Sequence, residues 1–191
     1  MKKDIILCGV GGQGILSIAT IIGEAAMQAG LQIKQAEVHG MSQRGGDVQS
    51  HLRISSEPIY SDLIPLGGAD VIISMEPMEA LRYVPYLKAD GWVVTSSVPF
   101  VNIPNYPADT DIQAALAQLP HVVSIDIDQL AKDSGVPRSA NMVLLGAAAQ
   151  AIGIGYEQLA SAIGHVFARK GEAVVEANLR ALALGKQSSG L

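Results

Sequence analysis

Residues 37–46, EVHGMSQRGG, place an acid, an imidazole, hydroxyl and amide side chains, a guanidinium and three glycines in one short stretch. It is too polar for a core strand and has no helical period. Ser42, Arg44 and the amides around Gly45 and Gly46 could form an anion nest. Arg44 could grip a phosphate or carboxylate with two parallel hydrogen bonds. The same residues also fit a solvated turn in which Arg44 pairs with Glu37. Both readings stay open on the residues alone.

A second stretch, GVGGQG at 9–14, carries Gly9, Gly11 and Gly14 at the G-x-G-x-x-G spacing, with Gly12 inside it. It follows an apolar run and opens a helical pattern, the context a dinucleotide fingerprint needs. The glycines would let a diphosphate approach the helix N-terminus. An acid for the ribose belongs at the end of the next strand, and Glu37 lies 23 residues after Gly14 (37 − 14). The alternative is a tight strand-to-helix turn with no nucleotide. The loop after Glu37 speaks against NAD(P), because a simple Rossmann unit would pass straight into a crossover helix there.

Other candidates are weaker. His39, His51, His121 and His165 show no ligand spacing, so a metal site is not expected. His39 and His51 lie on either side of one loop and could share a site. Cys8 sits in an apolar run and reads as a small core residue. Glu76 and Glu79 flank Pro77 in a first helical turn, and Asp126 and Asp128 end a strand; both pairs read as helix capping.

The elements that must position these residues follow from periodicity. DIILCGV (4–10) is a strand buried on both faces. Residues 11–30 form a mostly apolar helix closing at Gly30, and LQIKQAEV (31–38) reads as a second strand. This β–α–β opening implies parallel strands and a right-handed crossover. VQSHLRI (48–54) alternates, with Gln49, His51 and Arg53 expected to face solvent, a pocket or a partner. Strands follow at 69–75, 92–97 (after a turn at ADG) and 121–127. Helices are expected at 76–87, broken by Pro85, at 111–119 and at 128–135. The last third reads as three helices, the first starting at Pro137, with a frayed tail from Lys186. The fold class is α/β: a three-layer, Rossmann-like, mostly parallel sheet flanked by helices, with a helical C-terminal third. Its 191 residues fit a single domain, 1–191.

Composition narrows the function. Hydrophobic residues are 49%, charged residues 16% and aromatics 4%, so the core is large and aliphatic. The net charge of −5, with no basic run, argues against nucleic acid. One cysteine cannot hold an iron–sulfur cluster. No apolar stretch is long enough to span a bilayer. A cytoplasmic location is expected.

Together GVGGQGIL, EVHGMSQRGG, YSDLIPLGGADVIISMEPMEALRYVPYL, NMVLLGA and AVVEANLRALALG resemble a known family from end to end of the chain. The chain resembles the small (beta) subunit of indolepyruvate ferredoxin oxidoreductase. That subunit belongs to the gamma subunits and domains of the 2-oxoacid:ferredoxin oxidoreductases. EVHGMSQRGG is the most specific segment. The resemblance implies a supporting subunit of a CoA-dependent oxidative decarboxylase that passes electrons to ferredoxin. It implies no cofactor held by this chain alone. Thiamine diphosphate, Mg²⁺ and iron–sulfur clusters would lie in a large partner subunit, with CoA as co-substrate. It sets the NAD(P) reading aside in favour of the subunit; a stand-alone NAD(P) enzyme and a non-catalytic binding module are the alternatives. Glu37, His39, Ser42, Gln43, Arg44, Gly45, Gly46, His51 and Arg53 become candidates for substrate, CoA or interface contacts. Self-association of the isolated chain through apolar partner surface is a further expectation.

Overall fold

The computed structural model describes residues 1–39 and 45–190. Six strands form one sheet: β1 (Lys2–Val10), β2 (Gln32–His39), β3 (Asp47–Ser55), β4 (Ala69–Ser74), β5 (Leu87–Ser96) and β6 (His121–Ile125), in the order β2-β3-β1-β4-β5-β6. β1, β4, β5 and β6 pair in parallel, while β3 runs antiparallel to both β1 and β2. Five strands therefore share one direction and only β3 opposes them.

The central strands bury both faces, as their continuous apolar runs require. Ile5, Leu7, Val71, Ile73, Val94 and Val123 face one core. Helices α1 (Ile15–Gln28), α4 (Ile127–Asp133), α5 (Ala140–Ile152), α6 (Tyr156–Phe167) and α7 (Glu172–Ser188) enclose that side. Ile6, Cys8, Ile72 and Val93 face the other core, under α2 (Pro77–Arg82) and α3 (Asp109–Leu116). The result is the expected three-layer α/β sandwich with a helical C-terminal third.

The strand order and several boundaries differ from the sequence reading. β1 and β2 run in the same direction, but β3 lies between them, so the opening unit is not a pair of neighbouring parallel strands. β5 begins at Leu87, with no turn at residues 89–91. Its pairing with β4 steps from Ala69↔Leu87 to Val71↔Trp92, so three extra residues (5 − 2) bulge out around Gly91. Pro137 precedes α5, which starts at Ala140. The tail is not frayed at Lys186, because α7 continues to Ser188. Pro85 ends α2 as expected, and the chain turns through a 3₁₀ helix, Val84–Tyr86.

Candidate functional site

The C-terminal ends of β1, β4 and β5 point to one edge, where open α/β sheets bind ligands. The glycine turn, the end of the β2–β3 hairpin and the loop after β5 meet there. Ser42, Gln43 and Arg44 lie outside the described residues, as does the side chain of His39. Gly45 and Gly46 are described, with Gly45 at φ 78°.

The glycine turn serves this hairpin. Gly12 and Gly14 take the left-handed conformation, at φ 99° and 88°, which only glycine adopts without strain. Gln13 folds back so that its Oε1 accepts from the Val10 amide at 2.7 Å. A Cβ at Gly9 would stand 2.9 Å from that same oxygen. The Gly11 amide donates to the Gly46 carbonyl at 2.8 Å, and the Gly45 amide donates back to the Gly11 carbonyl at 3.4 Å. The Val10 and Gly11 amides thus both have protein acceptors.

Glu37 is placed wrongly for a ribose. It pairs with Ser50 of β3, which pairs with Leu7 of β1. It therefore stands two strands, about 10 Å, from β1, with β3 between. The dinucleotide reading is corrected: the spacing was right, but the acid strand is not β1's neighbour. Glu37 itself is exposed near the end of β2.

His51 and Arg53 leave the loop and hold a different segment. They point to the face opposite Leu52 and Ile54, where His51 is buried while Arg53 is half-buried and lines surface depressions, one of the surroundings expected for this polar face. His51 is 5% exposed. Its Nδ1 accepts from the Ile64 amide at 3.0 Å, and its ring meets Tyr86 edge-on at 5.3 Å. Burial pushes the His51 imidazole below its ordinary value. Arg53 grips Asp4 at 2.7 and 3.2 Å and donates to the Ser61 and Leu63 carbonyls, both at 3.0 Å. Arg53 is six residues along β3 from Asp47, about 20 Å at strand spacing.

The structure instead brings an unforeseen group beneath the hairpin end. The Tyr83 hydroxyl donates to both carboxylate oxygens of Asp47, at 2.8 and 3.0 Å. Burial first, then the Asp47 carboxylate, pushes the Tyr83 hydroxyl well up. Glu79, 5% exposed, meets Arg82 at 2.8 and 3.2 Å. Burial nonetheless raises the Glu79 carboxyl above the ordinary carboxylate range, and Asp47 adds to the rise. Glu76, 1% exposed, caps α2 as expected, accepting from the Glu79 amide at 2.8 Å. Its other oxygen accepts from the Phe100 amide at 3.2 Å and from the Tyr106 hydroxyl. Asn102, on the same loop, donates to the Gly45 carbonyl at 2.8 Å. Asp126 caps α4, as read from its position.

Cys8 is fully buried, its thiol donating to the Glu79 carbonyl at 3.5 Å, and burial pushes that thiol up. Among the described residues no group of three or more His, Cys, Asp and Glu side chains converges on a metal position. No described helix is long and apolar enough to cross a membrane.

Fold and edge define an open α/β domain whose glycine turn supports a neighbouring loop. Glu76, Glu79, Tyr83, Asp47 and Asn102 gather near its rim, while His51 and Arg53 lie away from it. A family model described as pyruvate ferredoxin/flavodoxin oxidoreductase matches residues 4–188, and the chain belongs to that family. It is 36% identical, over 99% of its length and 97% of the relative's, to indolepyruvate oxidoreductase subunit IorB of Thermococcus kodakarensis. The crystallised gamma subunit of a keto/oxoacid ferredoxin oxidoreductase from Geobacter sulfurreducens superposes with a TM-score of 0.72 at 26% identity, covering 99% of this chain and 97% of that one. A 2-oxoglutarate:ferredoxin oxidoreductase chain from Magnetococcus marinus, solved with 2-oxoglutarate, coenzyme A and succinyl-CoA, superposes with a TM-score of 0.78 at 26% identity. There 98% of this chain corresponds to 31% of the longer one.

Proposed function

We propose that this chain, as a single domain, is the small subunit of a 2-oxoacid:ferredoxin oxidoreductase acting on indolepyruvate or a related aryl pyruvate. The complex oxidatively decarboxylates the acid in the presence of CoA, releases the acyl-CoA and passes electrons to ferredoxin in the cytoplasm. The near full-length match to a subunit named for indolepyruvate carries this reading.

The residues present do not fit an iron–sulfur cluster. A cubane cluster takes about four thiolates, and the chain has one cysteine, sealed in the core. The clusters are therefore assigned to a large partner subunit, and the family resemblance assigns thiamine diphosphate and Mg²⁺ to the same partner, where thiamine would supply the electron sink for decarboxylation. This chain contributes the rim of the sheet. In this reading residues 37–46 face the partner beside the substrate and CoA channel. Arg44 holds an anionic group there: a CoA phosphate, the oxoacid carboxylate or a partner carboxylate. Glu37, His39, Ser42, Gln43, Gly45 and Gly46 complete that border. His51 and Arg53 act at a distance, by holding residues 61–64. Exposed apolar side chains such as Val98, Phe100 and Val101 make self-association of the isolated chain a further expectation.

The test is Arg44→Ala in the assembled complex. A raised KM for CoA or the 2-oxoacid, or failed assembly, is expected. Unchanged kinetics and assembly would remove Arg44 from the site.

A further inference from the structure

Residues 45–47 form the described limb of the hairpin loop, and three residues hold them. Gly11 binds both Gly45 and Gly46, Tyr83 holds Asp47, and Asn102 holds the Gly45 carbonyl. Gly11 follows a buried strand and Tyr83 is itself 5% exposed, so both are fixed by the core. Asn102 differs: it is exposed, on the long loop between β5 and α3. Nothing in the core sets its position directly.

A buried carboxylate does so instead. Glu76 collects the Phe100 amide and the Tyr106 hydroxyl on one oxygen, on either side of Asn102 in sequence. The Val98 amide is held by the Ser96 hydroxyl at 3.2 Å. Burying a charge is costly unless hydrogen bonds compensate, and a capping role for Glu76 uses only its other oxygen. A plain connection would leave these loop donors to water. Here they are spent on fixing the loop's path, while Val98, Phe100, Val101 and Ile103 stay exposed at 38–71%. Between residues 98 and 103 the loop is therefore held by hydrogen bonds, and Tyr106 beyond it also packs its ring against the second core.

We infer that Asn102 is a positioning residue for residues 45–47, and that the Glu76–Tyr106 contact is the latch that places it. This rests on the functional reading above. The Tyr106 hydroxyl reaches the limb through Asn102, so removing either contact loosens the Gly45 carbonyl while Gly11 and Tyr83 keep their hold.

The test uses the complete complex with its large subunit, comparing wild type, Asn102→Ala, Tyr106→Phe, the double variant and Asn102→Gln. KM and kcat are measured for CoA and the 2-oxoacid, together with amide hydrogen exchange at residues 45–47. One neutral hydrogen bond corresponds to about a two- to tenfold change. That rise is expected in one KM, with kcat nearly unchanged and faster exchange at 45–47. The double variant should be no worse than Asn102→Ala. Asn102→Gln, which keeps an amide donor, should recover part of the loss. Unchanged KM values in a complex that turns over normally, or additive effects of the two substitutions, overturn the inference. A wild-type complex without CoA-dependent turnover overturns instead the functional reading beneath it.

Discussion

Gly185→Ala should destabilise the chain although alanine is the better helix former. Gly185 of α7 lies against α5: a Cβ there would stand 1.8 Å from the Val143 carbonyl oxygen and 2.9 Å from the Ala147 amide nitrogen. Gly146 makes the reciprocal approach, 2.0 Å from the Leu182 carbonyl oxygen. Contacts under 3.0 Å are essentially never seen, so the helices must part by at least 1.2 Å (3.0 − 1.8). The obstacle is backbone and cannot turn aside. A gap of about 1 Å forfeits a quarter to a half of each dispersion contact, and Leu182 and Ala181, both fully buried, sit at that seam. Overpacking of this kind costs about 3 kcal/mol, the upper end of the usual range. Helix propensity returns about 1 kcal/mol. The net loss of about 2 kcal/mol lowers Tm by roughly 4–8 °C for a domain of this size. Gly164, in α6, is the control, because a Cβ there meets nothing within 4 Å. Gly164→Ala should gain up to about 1 kcal/mol. Thermal unfolding of the purified chain, followed by circular dichroism, compares the two. If Gly185→Ala behaves like Gly164→Ala, the close crossing of α5 and α7 is wrong.

Three further outcomes follow from the same contacts. His51 is held neutral by burial, and its folded value lies below the unfolded one of about 6.5. The unfolded chain therefore binds more protons as pH falls through that value, so the His51 contribution is full above it and is lost towards the folded value. Tm measured from pH 7 to 5 should fall more steeply in wild type than in His51→Gln; equal slopes would contradict this. Glu76→Ala removes a helix cap and the acceptor for Phe100 and Tyr106, costing about 2–4 kcal/mol by urea unfolding, whereas Glu76→Gln should cost less; equal costs would show that the charge contributes nothing. Titration of the isolated chain with NADH should show no saturable fluorescence change, because β3 separates Glu37 from the glycine turn; saturable binding would reopen the dinucleotide reading.

Local signals carried much of the fold. The apolar run at 4–10, the alternation at 48–54 and Pro85 each mark their element through a short-range rule, and each element is present. Strand order is a different kind of information. Nothing in residues 47–55 says that β3 folds back between β1 and β2, because pairing partners are chosen by packing across the whole sheet. The same insertion separates Glu37 from the turn it seemed to serve. The turn at Gly45 and Gly46 was legible from the paired glycines. Its anchors were not: Asn102, Tyr83 and Tyr106 lie 57, 36 and 30 residues from their partners. Asp47, directly after the paired glycines, was the one nearby signal. The polar face of β3 is read only in part, because alternation reports two unlike faces and not that His51 on the second is covered. Residues 61–66, with no periodicity of their own, cover it through Arg53 and His51.

The decisive measurement is co-expression with a large subunit of an indolepyruvate ferredoxin oxidoreductase under anaerobic conditions, then co-purification and dye reduction with indolepyruvate, CoA and thiamine diphosphate. A stable complex whose dye reduction requires both indolepyruvate and CoA is expected. No association, or a complex inert to every 2-oxoacid offered, would contradict the assignment of this chain as an oxidoreductase subunit.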